Sequence, residues 1–144
     1  MINYFKCIDD IINNNLKINP KGNIYSINES NKHRWKDDKF QILTEKCISD
    51  GYTTRWVGSL VADAHRTLIK GGFFSYPCDS KCTEGKLRVL YEAYPFAYIF
   101  QMAGGHSSNG ILNSLLDLPF PENPHQKTGL ILSGSHEYNM FNQS

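Results

Sequence analysis

Apolar side chains at Phe5, Ile8, Ile12 and Leu16 recur every three to four positions, which predicts a short amphipathic helix within residues 1–17. The run Asn13-Asn14-Asn15 weakens that helix, because Asn favours turns and caps. Pro20-Lys21-Gly22-Asn23 reads as a turn. The β-prone run 24–27 follows it and ends at Asn28-Glu29-Ser30-Asn31. Asp37 and Asp38 then introduce a helix through Phe40, Ile42, Leu43 and Cys47, with Gly51 as its stop.

The middle of the chain is patterned more strongly. Val57, Leu60, Val61, Ala64 and Leu68 repeat at intervals of three and four and predict a helix over 58–70 with one buried stripe, closed by Gly71-Gly72. Residues 73–76 read as a strand ended by Pro77, and 87–91 as a second strand. Pro95 suits the first turn of a helix over 96–103, stopped by Gly104-Gly105. The tail offers a strand at 130–132 and a short helix at 137–141. Alternating strands and helices predict an α/β layered domain, with no repeat or low-complexity linker dividing it.

Composition narrows the function more than the fold. The 144 residues are 40% hydrophobic and 20% charged, which excludes a disordered or collagen-like chain. Lys and Arg number 15 against 14 Asp and Glu, so there is no basic field of the kind that binds nucleic acid or an acidic membrane surface. No apolar stretch approaches the roughly 20 residues that span a bilayer, and the N-terminus lacks the basic-then-apolar order of a signal peptide. A cytoplasmic protein with no nucleic-acid or membrane partner is expected. Cys7, Cys47, Cys78 and Cys82 are scattered, and Cys78-x-x-x-Cys82 lacks the second pair that a structural zinc site needs. They read as free thiols.

Few residues announce chemistry by themselves. Asp63 and His65 lie two apart in the 58–70 helix, hence on different faces, and read as surface or internally satisfied residues. No nucleophile triad order, glycine-rich phosphate loop or HExxH motif is present. Trp35, Trp56 and Phe96 are dispersed, as core aromatics are. One constellation suggests more: Arg55, Lys70, Lys81, Lys86 and Arg88 alternate with Tyr76 and Tyr91 around predicted loop–strand junctions. Such donors cradle phosphates, and Glu92 could add a hard-cation ligand. A solvated charged face accounts for the same residues, and spacing alone leaves both readings open.

The motifs themselves go further. The segments 24–29, 52–68, 71–77, 85–92 and 95–105, together with His125-Gln126, resemble class I fructose-1,6-bisphosphatase in sequence and in order. The resemblance spans about residues 18–136 and is confined to that family's C-terminal half, a sugar-phosphate-binding α/β domain with a mixed sheet and flanking helices; residues 1–17 stand as an N-terminal extension. It implies that Asn28 and Tyr76 bind the 6-phosphate of fructose phosphate and that Arg55 reaches a neighbouring subunit's 6-phosphate pocket in a homo-oligomer. Lys86 would contact sugar and phosphate, Gly58, Ser59 and Leu60 would touch the sugar through their backbone, and Arg88 would lie near the metal. Glu92 would be the single Mg²⁺ ligand that this half supplies.

Three departures accompany it. Trp56 replaces a phosphate-binding tyrosine, and Ser30 replaces a glycine, with strain expected if that turn needs positive φ. The Asp-Gly-Ser-Ser-type motif and upstream glutamate that complete the family's metal site are absent from this sequence. The implied function is therefore the substrate-anchoring half of a gluconeogenic phosphatase, binding but not hydrolysing by itself. It would work with a polypeptide carrying the N-terminal half; the alternative is a non-catalytic remnant or interaction module.

Overall fold

The computed structural model describes residues 16–144, so the helix expected over 1–17 lies outside the described residues but for its last two positions. Five strands form the main sheet: β1 (Ile24–Ser26), β2 (Thr53–Thr54), β3 (Phe73–Tyr76), β5 (His106–Ser108) and β7 (Leu130–Ser133), in the order β2-β1-β3-β7-β5. The β1 pairings with β2 and β3 are parallel, whereas β3–β7 and β5–β7 are antiparallel. A separate two-stranded ladder joins β4 (Leu87–Arg88) to β6 (Lys127–Thr128). The sheet is mixed, as the resemblance implied.

Its strands read as apolar runs because both faces are covered. Phe73, Tyr25 and Ile131 face one layer with Phe40, Leu43, Cys47, Met140 and Phe141, which come from α1 (Asp38–Ser49) and α4 (Ser135–Asn142). Phe74, Leu130 and Leu132 face the other layer with Ala64, Leu68, Ala97 and Phe100, from α2 (Leu60–Lys70) and α3 (Tyr94–Met102). Successive residues thus enter opposite cores, as the two-residue strand period requires. Asp37 caps α1 by accepting the Lys39 N–H at 2.9 Å.

Two expectations need correction. Helix α2 starts at Leu60, since Gly58 has φ +82°, outside the right-handed region. Its buried stripe is Asp63, Ala64, Thr67 and Leu68, while Val57 and Val61 are each 64% exposed. The strand expected over 87–91 stops at Arg88, because β6 offers only two partners and Val89 makes its last cross-chain bond to the Gln126 carbonyl at 2.8 Å. Residues Val89–Ala93 then form a π-helical turn that runs into α3. Helix α3 accordingly begins at Tyr94 with Pro95 in its first turn.

Candidate functional site

Because β1, β2 and β3 run parallel, their carboxyl ends lie at one end of the sheet, where open α/β sheets present their binding residues. Ser26 pairs with Phe74, and Asn28 and Tyr76 each follow two residues later. Arg55 follows Thr54, the partner of Tyr25, and donates its N–H to the Tyr25 carbonyl at 2.9 Å. Asn28 caps the 3₁₀ helix Glu29–Arg34, its Oδ1 accepting from the Ser30 N–H at 3.2 Å and the Ser30 hydroxyl at 2.5 Å. The cap uses the Asn28 carbonyl oxygen and leaves its amide N–H groups uncommitted to it. Ser30 lies in a right-handed turn of negative φ, so the strain expected there does not arise. The Arg55 guanidinium is exposed and bonds only the Thr54 carbonyl, at 2.9 Å.

Next to these ends stands an aromatic trio. The Trp56 ring lies 6.3 Å from Phe74, stacked, and 5.1 Å from Tyr76, edge-on. Trp56 therefore serves as a packed wall. The Tyr76 hydroxyl donates to the Gly58 carbonyl at 3.2 Å, and Lys86 Nζ sits 5.9 Å from the Tyr76 ring centroid. Burial, with Asp63 and Glu92 nearby, pushes the Tyr76 phenol upward, so it stays a neutral donor. Ser59 is the N-cap of α2, but its side chain makes no cap bond, leaving the first-turn N–H groups from Leu60 onward without intrahelical partners. Trp56, Gly58, Tyr76 and Lys86 are thus brought into one neighbourhood.

Lys70 is not brought there. It ends α2, about 16 Å along the helix from Ser59 at 1.5 Å per residue. The Lys81 N–H donates to Asp79, in a loop where burial of that carboxyl is outweighed by N–H bonds from Cys82 and Lys81 and by Arg34, holding it below the ordinary carboxylate range.

Glu92 and Arg88 form a pair of their own. Glu92 Oε2 accepts the Arg88 N–H at 2.7 Å and lies 3.6 Å from its guanidinium. Arg88 also sits 5.8 Å from the Tyr91 ring, and the Tyr91 hydroxyl lies 3.4 Å from His125 Nδ1. No group of three His, Cys, Asp or Glu that could hold a metal occurs among the described residues. A lone carboxylate already bonded to an arginine does not fit Mg²⁺, which needs several oxygen ligands.

Sequence reasoning passed over one feature of this end. Asp63 is fully buried and accepts the N–H groups of Val57 at 3.1 Å and Gly58 at 2.9 Å, besides an ion pair with Arg66. Its reading as an internally satisfied residue holds, but Arg66 had drawn no separate attention. The i, i+3 spacing of the two on one helix was the available signal.

The mixed sheet with a helix layer on each face is an α/β domain of the sugar-phosphatase fold, and the comparisons with known proteins agree. Residues 18–143 match the family model described as fructose-1-6-bisphosphatase, C-terminal domain. A class 1 fructose-1,6-bisphosphatase from Persephonella marina is 50% identical over 122 residues, covering 85% of this chain and 37% of that protein. A cytosolic fructose-1,6-bisphosphatase from Arabidopsis thaliana is 45% identical over 127 residues, covering 85% of this chain and 36% of that one. The crystal structure of Leishmania major fructose-1,6-bisphosphatase in holo form superposes with a TM-score of 0.81 at 36% identity, over 89% of this chain and 40% of that one. The chain belongs to the fructose-1,6-bisphosphatase family and corresponds to its C-terminal domain. It spans well under half the length of these relatives.

Proposed function

We propose that this chain is the anchoring part of a fructose-1,6-bisphosphatase: it holds the 6-phosphate and sugar of fructose phosphate and hydrolyses nothing by itself. The observation that carries this reading is the delivery of Asn28, Arg55 and Tyr76 to one sheet end by three parallel strands, beside Lys86. The Lys86 cation and the Asn28 amide suit a phosphate dianion, to which the Tyr76 hydroxyl would turn from the Gly58 carbonyl, and the Arg55 cation would serve a neighbouring subunit's 6-phosphate pocket in a homo-oligomer. Bonds from backbone and capping groups limit the rotamer freedom lost on binding. Trp56 closes the side of the pocket with an apolar ring and gives no hydroxyl to the phosphate.

Hydrolysis of the 1-phosphate is the activity the family name describes, and it belongs to the whole enzyme. Glu92, the carboxylate proposed for the metal, is held by Arg88 and cannot build a metal site alone. A polypeptide with the family's N-terminal half is the partner that would complete the reaction. Helix α3 is consistent with such a partner: Ala97 and Phe100 are buried, yet Tyr98, Ile99 and Met102 on its other side are exposed. No helix among the described residues is long and apolar enough to cross a membrane, and a cytoplasmic location is part of this proposal.

The test is phosphate release from fructose 1,6-bisphosphate in Mg²⁺. The chain alone is expected to stay at background, and addition of a separately expressed N-terminal half to raise the rate. Mg²⁺-dependent turnover by the chain alone would refute the division of labour.

A further inference from the structure

The segment from Arg55 to Gly58 carries much of the proposed anchor, yet packing explains its shape poorly. Val57 is exposed, and of its two large apolar side chains only Trp56 rests on the core. Hydrogen bonds hold it instead. The Arg55 carbonyl accepts from Ser26 Oγ at 2.5 Å and from the Arg66 guanidinium at 2.7 Å. The N–H groups of Val57 and Gly58 both point into the Asp63 carboxylate, and the Gly58 carbonyl accepts from Tyr76. The same Arg66 nitrogen bonds Ser26 Oγ at 2.7 Å and the Asp63 carboxylate.

We infer that Asp63 and Arg66 are positioning residues for the phosphate anchor, fixing the 55–58 segment that carries Arg55 and the Gly58 carbonyl met by the Tyr76 hydroxyl. This rests on the anchoring role proposed above. Two physical points carry it. Asp63 is fully buried and its carboxylate is committed to the Val57 and Gly58 N–H groups and to Arg66, so it fixes the path of the segment. Asp63 also turns the Val57 and Gly58 N–H groups inward and so withholds them from an anion. Arg66 meanwhile offsets a negative charge that would otherwise lie beneath an incoming phosphate.

The test uses the full chain with Asp63→Asn, Arg66→Lys and, as a buried carboxylate at the opposite end of the sheet, Glu137→Gln. Glu137 accepts from the Gly22 N–H at 2.8 Å and the Tyr52 hydroxyl at 2.7 Å and touches none of the anchor. Titration with fructose 6-phosphate is paired with amide hydrogen exchange followed by NMR. In Asp63→Asn, Kd is expected to rise about tenfold, the scale of one lost hydrogen bond to a charged group. Val57 and Gly58 should exchange faster while Phe74 does not. Arg66→Lys, which keeps the charge, should weaken binding less, and Glu137→Gln should leave Kd unchanged. Unchanged affinity in Asp63→Asn, or an equal loss in Glu137→Gln, would overturn the inference. If the unaltered chain binds no fructose 6-phosphate, the anchoring role fails and exchange alone decides. Faster exchange confined to Val57 and Gly58 would then support the positioning role, and unchanged exchange there would refute it.

Discussion

Single side chains decide whether the strand ends bind anything. Tyr76 contributes one neutral hydroxyl, so Tyr76→Phe should weaken fructose 6-phosphate binding about two- to tenfold and shift stability by less than about 1 kcal/mol. Calorimetry and urea unfolding measure the two separately. Motif order in the sequence singles out Asn28, Arg55, Tyr76 and Lys86 for the anchoring role proposed here, whereas periodicity alone leaves their role open. The i, i+3 spacing of Asp63 and Arg66 signals a pair, but what the pair does depends on where Ser26 and the 55–58 backbone meet it. Trp56 shows the reverse: its lost hydroxyl was evident from residue identity, but its part as a wall against Phe74 needed the packing.

Whole elements follow from period and punctuation, with failures where pairing overrides pattern. α1, α3, α4, β1, β3 and β7 were each anticipated within a few residues, because apolar spacing and Gly or Pro stops bound them. The two-residue strands β2 and β6 were missed, being too short to carry a period and existing only through their partners. Close approach at Gly72 is another effect that pattern does not register. Its φ is +90°, and a Cβ there would lie 1.8 Å from the Ile24 carbonyl oxygen, where β3 meets β1. Gly72→Ala should therefore destabilise the fold by about 3 kcal/mol or more, through backbone strain together with overpacking. Chemical denaturation would check this, and a loss below about 1 kcal/mol would show that the junction relaxes. Phe74→Ala should cost about 3–5 kcal/mol by the same measurement, since it empties the core under Trp56 and Tyr76.

On the scale of the molecule, the two ends of the sheet answer to different conditions. His106, level with Phe73 at the end away from the anchor, stacks on Tyr138 at 4.4 Å beside a cavity of about 270 Å³. Burial holds its imidazole below the ordinary value of 6.5, so as pH falls past 6.5 the unfolded chain takes up a proton that the folded chain resists. Stability should be full above that value, fall as pH drops toward the lower folded pKa, and lose part of this slope in His106→Phe, which keeps the stack. Chelation, by contrast, should leave the unfolding midpoint unchanged, because no metal-holding group occurs among the described residues.

At the other end of the sheet, three parallel strands and Lys86 form the proposed anchor for a sugar phosphate, without a reaction centre. Calorimetric titration of the chain with fructose 6-phosphate, beside an Arg55→Ala, Lys86→Ala double variant, tests it most directly. Saturable binding by the chain, and its loss in a double variant that remains folded, are expected. A folded chain that binds no fructose 6-phosphate, or a double variant that binds it equally well, would contradict it.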